Sequence, residues 1–292
     1  EAGQVFLKWA FIPCTCTPIG VLRLPMMTYF LDSDIDSGEI YTPASRLSFR
    51  SRQRDDVHLL NEKLVIPTCR RAIKRPRLYE LLDRSAAEFP ATLVSGRAGT
   101  GKTVMAAAYA RSQDNVAWYS VESTDAEWSV FASYFSACLL KTVGSEMKVG
   151  DFVRADSDGS QPSIASFLID VLAETETVLV HKPLLIVLDG IHHLFDAPWF
   201  GEFFGLLLSS LPENVHILLL CRSKPPNPLW RMRSKQQLNV LDEKVLAFDL
   251  SETVRLMTIR GLRRSEAERA HSTTFGRASK LTEYAEGLVS RA

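Results

Sequence analysis

An eight-residue segment at positions 96–103, GRAGTGKT, constrains the fold more than any other part of the chain. It fits the pattern G-x-x-x-x-G-K-[ST] at every fixed position, between an apolar run ending at Ser95 and an alanine-rich run that begins at Lys102. Glycines let backbone N–H groups point into such a loop, and the positive end of the following helix adds to the attraction for phosphate. The segment therefore predicts a strand–loop–helix unit that binds nucleotide phosphates.

Each side chain of this loop has a predicted role. Lys102 is expected to reach the β- and γ-phosphates of ATP or ADP, and the Thr103 hydroxyl is expected to bind Mg²⁺. The other loop residues are expected to approach the phosphates mainly through their backbones. The predicted nucleotide-binding residues of this segment are Gly96, Ala98, Gly99, Thr100, Gly101, Lys102, Thr103 and Val104.

A second element of the site is predicted at Asp189. It ends the continuous apolar run 184–188, which is typical of a strand buried on both faces. A carboxylate at the end of such a strand faces the ligand crevice of a parallel sheet, so Asp189 is predicted to bind Mg²⁺ together with Thr103. The alternative is an aspartate that only begins the following turn, with Gly190 behind it.

Catalytic competence is left open by the residues that follow. Hydrolysis usually needs a second acid to orient water, and the next position is Gly190. Asp189 and His192 are the catalytic candidates, although a histidine in such a turn is more often a structural hydrogen-bonding group. Slow hydrolysis is compatible with this pattern, and Gly190→Asp is expected to raise the rate if Gly190 limits it. Arg222, directly after the apolar run 215–221, is a candidate γ-phosphate sensor or else a surface residue.

Alternating patterns along the chain predict an α/β fold, a P-loop NTPase with a mainly parallel sheet flanked by helices. The predicted strands are 91–95, 116–121, 184–188 and 215–221, and the main predicted helices are 77–88, 102–111, 128–140, 164–175 and 199–211. After residue 250 the patterns are all helical. We therefore predict an irregular lead-in at 1–61, a nucleotide-binding domain at 62–250, and the start of a truncated helical domain at 251–292.

Composition excludes several other classes. An apolar fraction of 46% supports a large core and excludes a wholly disordered chain. The 34 basic and 34 acidic residues cancel, which gives no global reason for nucleic-acid binding, although residues 46–77 alone carry ten cations and three acids. Five cysteines are an odd number in so long a chain, which favours a reduced, cytoplasmic protein. No apolar run reaches the roughly 20 residues of a membrane span.

Several further segments occur in a characteristic order with the phosphate loop. They are KLVIP at 63–67, KRPRL at 74–78, VAWYS at 116–120, LIVLD at 185–189, CRS at 221–223 and PLWRMRSKQQL at 228–238. Together they resemble the nucleotide-binding module of STAND-class ATPases, and within that class the MalT-like regulators of the LuxR family. The resemblance covers about residues 62–290.

This resemblance implies a molecular switch. In such proteins ADP holds a closed monomer, whereas inducer binding elsewhere favours ATP, opening and self-association. Arg75 and Pro76 match a segment expected near the adenine and ribose, and Arg222 matches the sensor position. DNA contact is expected only through domains outside these residues. The alternatives are a working ATPase or kinase, or a STAND protein with a different effector. The chain departs from the family at Gly190, where the family usually has a second acid.

Overall fold

The structure, a computed structural model, describes residues 59–69, 72–153, 163–180 and 182–289. Most of the predicted lead-in, 1–58, lies outside these ranges. The described residues contain a parallel sheet of five strands in the order β2-β3-β4-β1-β5. The strands are β1 (Ala91–Ser95), β2 (Val116–Ser120), β3 (Leu184–Asp189), β4 (Val215–Cys221) and β5 (Leu238–Leu241). The predicted fold class is therefore confirmed, with β5 as a strand that the sequence patterns did not predict.

The register of the sheet brings the carboxyl ends of its central strands together. Ser95 of β1 pairs with Cys221 of β4, and Asp189 of β3 pairs with Leu220 of β4. The strands are apolar on both faces because helices cover both faces. Successive residues such as Leu93 and Val94 therefore belong to different core clusters. This burial fixes the register, and the register fixes which strand ends face the same crevice.

Helices cover the sheet on two sides. The helices on one side are α1 (Pro76–Glu88) and α2 (Lys102–Ala110), and those on the other are α3 (Trp128–Val143), α4 (Val149–Val153), α5 (Ile164–Leu179), α6 (Phe200–Ser210) and α7 (Asn227–Ser234). Short 3₁₀ helices lie at Asn61–Leu64, Ser123–Ala126 and Ile191–Leu194. Aromatic residues of α3 and α6, such as Phe131 and Phe203 with ring centroids 5.0 Å apart, fill the second side.

A helical segment follows the sheet. It begins after α8 (Glu243–Leu246) and contains α9 (Leu250–Ile259), α10 (Arg264–Thr274) and α11 (Ala278–Val289). These three helices enclose a small core of their own, which includes Met257, Ala270 and Leu281. The helical character of the region after residue 250 is as predicted, while its status as a separate domain stays a prediction. In the described part of the chain, no helix is long and apolar enough to cross a membrane.

Candidate nucleotide site

The phosphate loop connects β1 to α2 at the carboxyl end of the sheet. Gly99 has a φ of +78°, in the left-handed region that favours glycine, and a Cβ at this position would lie 2.7 Å from the side chain of Ser279. The carbonyl of Gly99 accepts a hydrogen bond of 2.9 Å from the backbone N–H of Ser279. The loop is therefore shaped by its own glycine and held from outside by the first turn of α11.

Lys102 is buried and turned back onto the loop. Its ammonium donates to the carbonyls of Gly96 and Arg97, the latter at 2.8 Å, and to the Thr100 hydroxyl at 3.1 Å. Burial lowers the pKa of Lys102, because the charged form loses solvation. Neutral acceptors compensate a buried cation less well than an anion does. The ammonium is therefore poised to exchange these contacts for phosphate oxygens.

Thr103 and Asp189, the two predicted Mg²⁺ ligands, lie in direct contact. The Thr103 hydroxyl donates a 2.8 Å hydrogen bond to the Asp189 carboxylate, which joins the first turn of α2 to the end of β3. Burial raises the pKa of Asp189, although the Thr103 hydrogen bond and the charges of Arg222 and Lys102 act in the opposite direction. Hydroxyl and carboxylate oxygens are the ligand types that Mg²⁺ prefers, so these two residues fit the metal.

A cavity of about 250 Å³, the phosphate cavity, collects most of the predicted site. Its predicted lining residues are Ala98, Gly99, Gly101, Lys102, Thr103, Val104, Asp189, His192 and Arg222. Gly96 and Thr100 belong to the loop but do not line this cavity. Segments that are up to 124 positions apart therefore meet at one group of strand ends, as expected for a ligand crevice in a parallel sheet.

A second cavity of about 600 Å³, the adjoining cavity, shares Gly99, Gly101 and Val104 with the first. Its remaining walls come from residues before α1, from the helical segment and from Met105 of α2, and none of these except Arg75 was a predicted site residue. They are Thr68, Cys69, Ala72, Ile73, Arg75, Met105, Phe248, Leu256, Arg260, Ala278, Ser279, Thr282, Glu283 and Glu286. No sequence pattern indicated that these three remote regions meet.

Arg75 lines the adjoining cavity, but its guanidinium is already engaged. It donates to the carbonyls of Leu246 and Ala247 at 2.9 and 3.0 Å, and to the Glu252 carboxylate at 2.7 Å. The guanidinium also lies 3.9 Å from the ring centroid of Phe248. Pro76 begins α1 and is not a lining residue. Arg75 therefore ties the segment before α1 to α9, and a nucleotide contact by Arg75 or Pro76 stays a prediction.

His192 lies beside the phosphate cavity in the turn after β3. Burial lowers its pKa to about 4, and the charges of His193, Arg222 and Lys102 act in the same direction. Its ring is therefore neutral at pH 7. The Nδ1 atom is buried and has no hydrogen-bond partner among the described residues. A neutral imidazole at this place is able to accept a hydrogen bond from water near a bound phosphate, although its lowered pKa makes it a weak proton acceptor at pH 7.

The backbone geometry explains why position 190 is a glycine, which the sequence alone did not reveal. Its φ is +97°, and a Cβ at this position would lie 2.6 Å from the backbone oxygen of Val121. Because that oxygen belongs to fixed backbone, any side chain here strains the turn after β3. The expectation that Gly190→Asp would raise hydrolysis has to be corrected: the substitution is expected to disturb the position of Asp189 before it supplies a second acid.

Comparison with known proteins identifies the family. Residues 68–220, which are 153 of the 292 positions, match the family model described as "AAA ATPase domain". The chain belongs to this family of P-loop ATPases. This membership agrees with the phosphate loop, the parallel sheet and the carboxylate at the end of β3.

The curated relatives include transcriptional regulators. The HTH-type transcriptional regulator MalT of Vibrio parahaemolyticus is 29% identical over 189 residues, which is 65% of this chain and 20% of that protein. MalT of Serratia proteamaculans is 32% identical over 197 residues, 66% of this chain and 21% of that protein. The chain thus spans about a fifth of their length. The resemblance to a MalT-like nucleotide-binding module is confirmed over that part.

Solved structures of low sequence identity also match. The Walker-type ATPase of Pyrococcus abyssi is 13% identical, with a TM-score of 0.49, over 75% of this chain and 68% of that one.

Proposed function

We propose that this chain is the nucleotide-dependent switch module of a MalT-like, STAND-type transcriptional activator, and that it binds ATP and ADP with Mg²⁺. One observation carries the proposal: the phosphate cavity and the adjoining cavity share Gly99, Gly101 and Val104 as lining residues, and the helical segment forms part of the wall of the second. A nucleotide that spans both cavities contacts the sheet with its phosphates and the helical segment with its nucleoside. Its binding therefore favours one position of the helical segment over others.

Different residues contact different parts of the bound nucleotide in this proposal. Lys102 and the loop amides bind the phosphates, while Thr103 and Asp189 hold Mg²⁺, which when bound neutralises phosphate charge. Arg222 is exposed directly after β4 and lines the phosphate cavity, and in this proposal it contacts the γ-phosphate that ATP has and ADP lacks. Near the γ-phosphate, the only neutral base in this proposal is His192. This set suits nucleotide discrimination better than rapid hydrolysis.

Two hydrogen bonds support the coupling between loop and helices. Besides the contact from Ser279 to Gly99, the guanidinium of Arg277 donates to the carbonyl of Ala98 at 3.1 Å. A shift of the loop on binding phosphate therefore acts directly on the start of α11. The proposal also includes the boundaries 62–250 and 251–292, self-association in the ATP state, a cytoplasmic location, and DNA contact through other domains of the full regulator.

Isothermal titration with ATP and ADP in the presence of Mg²⁺ tests the proposal. Lys102→Ala removes the buried ammonium that the phosphates would contact, and it is expected to weaken binding by about a hundredfold. Lys182→Ala, an exposed lysine before β3, is the matched control and should bind normally. Equal affinity of Lys102→Ala and the unaltered chain would overturn the site. Turnover faster than about one per minute would instead favour a working ATPase.

A further inference from the structure

One stretch of the chain carries positive charge with no acid to balance it. Residues 214–241 contain five basic residues and no Asp or Glu. All five are exposed, and none forms an ion pair or a side-chain hydrogen bond with a residue of the described ranges. Four of them, Lys224, Arg231, Arg233 and Lys235, lie on α7 or directly beside it and are called the basic face here, whereas Arg222 follows β4 and lines the phosphate cavity. A cluster of unpaired cations on a protein with zero net charge points to a charged partner.

The basic face lies at the β5 edge of the sheet. It is formed by α7 and by the loop that leads into this helix, and α7 contacts both β5 and α6. Leu229 and Met232 bury one side of α7, which leaves the arginines on its outer side. Trp230 is 40% exposed there, with the guanidinium of Arg233 at 5.3 Å from its ring centroid. The face therefore combines cations with an exposed aromatic ring, a composition common in protein interfaces.

The opposite edge of the molecule has the opposite charge. The described residues between positions 122 and 176 include eight Asp and Glu but only two Lys and no Arg. The helices of this part cover the edge strand β2, because α3 lies against β2 while α4 and α5 lie against α3. Its exposed acids within the described ranges, here called the acidic face, include Glu127, Glu146, Asp151, Asp170 and Glu176.

We propose that the basic face of one copy binds the acidic face of a second copy, so that chains associate head to tail. The two faces lie at opposite edges of a five-stranded sheet, a separation of about 19 Å at the usual strand spacing. Screening over about 8 Å at physiological ionic strength prevents them from compensating each other within one molecule. A second copy brings them together, and a contact between unlike faces leaves a free face at each end for further copies.

Nucleic acid is the other negatively charged partner that these cations suit. A second copy is favoured because it also accounts for the acidic face, which a nucleic acid would leave unpaired and would repel. The inference rests on the proposed function in one respect: it supplies a surface for the self-association named there.

Charge reversal on each face, followed by mixing, tests the inference. Arg231→Glu with Arg233→Glu leaves two lysines and two glutamates on the basic face and so removes its net charge, while Asp170→Lys with Glu176→Lys reverses part of the acidic face. Sedimentation velocity at about 50 mM salt, with ATP and Mg²⁺, should show concentration-dependent association of the unaltered chain that weakens as salt increases. Each double variant alone should associate at least tenfold more weakly, and an equimolar mixture of the two should regain association.

Controls separate this inference from the proposed function. Arg255→Glu with Arg269→Glu changes two exposed arginines of α9 and α10, has the same net charge as the first variant, and should associate normally. Nucleotide titration of every variant reports the binding site independently. A monomeric unaltered chain under all conditions, or a mixture that stays monomeric, overturns the inference. The inference is also overturned if the unaltered chain binds labelled DNA and only the variant with Arg231→Glu and Arg233→Glu loses this binding, while that variant still associates like the unaltered chain.

Discussion

The two cavities of the site differ in how they are built. The phosphate cavity is formed by one short loop and by residues at or just after the ends of β3 and β4, all within the sheet region. The adjoining cavity requires the helical segment and residues before α1, namely Thr68, Cys69, Ala72, Ile73 and Arg75. The first cavity is therefore a property of the sheet, whereas the second exists only while the helical segment stays in place. This difference gives a nucleotide control over the helical segment.

The buried ion pair of Arg75 and Glu252 holds the two ends of the adjoining cavity together. Their side chains are 5% and 2% exposed, and the pair is 2.7 Å long. Glu252 also accepts a hydrogen bond from the backbone N–H of Asp249 at the start of α9, so one carboxylate fixes both the helix start and the arginine. Loss of this carboxylate should therefore damage one cavity and spare the other.

Glu252→Ala is expected to have the largest effect on stability. Removal of one partner of a buried pair leaves an uncompensated charge and costs about 3–5 kcal/mol of unfolding free energy. Urea unfolding measures this loss, and Glu268→Ala, in an exposed pair, should cost less than about 1 kcal/mol. ADP affinity should decrease while pyrophosphate affinity is retained. An equal loss for both ligands would show that the cavities are not independent.

Gly190→Ala is the corresponding disturbance on the phosphate side. The left-handed backbone and the contact with the oxygen of Val121 together are expected to cost about 3 kcal/mol. Affinity for Mg²⁺ and for pyrophosphate should fall together, because Asp189 directly precedes the strained residue. Gly150→Ala, where a Cβ meets nothing within 4 Å, is the matched control and should unfold normally. Unchanged stability of Gly190→Ala would contradict the geometry of this turn.

Gly99→Ala addresses the contact between the two cavities. The new Cβ would lie 2.7 Å from the Ser279 side chain and would require φ near +78°, an expected cost of about 2 kcal/mol. Ser279→Gly removes the obstructing side chain but not the backbone strain. The double variant should therefore recover about 1 kcal/mol in urea unfolding relative to the sum of the single changes. Strict additivity would mean that α11 does not press on the loop in solution.

The same difference explains what the sequence could predict. The loop at 96–103 and the buried runs that end at Asp189 and Cys221 are local signals, so most of the phosphate cavity was predicted with its residues. The adjoining cavity depends on contacts between remote segments, and no local pattern reports them. β5 was missed because four residues, Leu238–Leu241, with only the first and last buried, give no long apolar run. The need for glycine at 190 comes from Val121, a contact across strands.

A pH change tests whether the amino end of the sheet is independent of both cavities. His216, near the start of β4, has its Nε2 3.0 Å from the Thr92 hydroxyl and its Nδ1 3.0 Å from the Phe89 carbonyl. Burial lowers its pKa to about 4, whereas the unfolded chain takes up the proton near the ordinary value of 6.5. Between these values the unfolded state binds more protons, so stability is complete near pH 7 and decreases as pH falls towards 4.

The expected loss from this one histidine between pH 7 and pH 5 is about 1.5 kcal/mol. Urea unfolding at both pH values measures it, and His216→Gln should show a smaller difference than the unaltered chain. His192 contributes to the same window in both proteins, so the comparison isolates His216. The His216 ring lines neither cavity. The ratio of ADP affinity to pyrophosphate affinity should therefore be the same in His216→Gln as in the unaltered chain. A changed ratio would show that the amino end of the sheet is coupled to the nucleotide site.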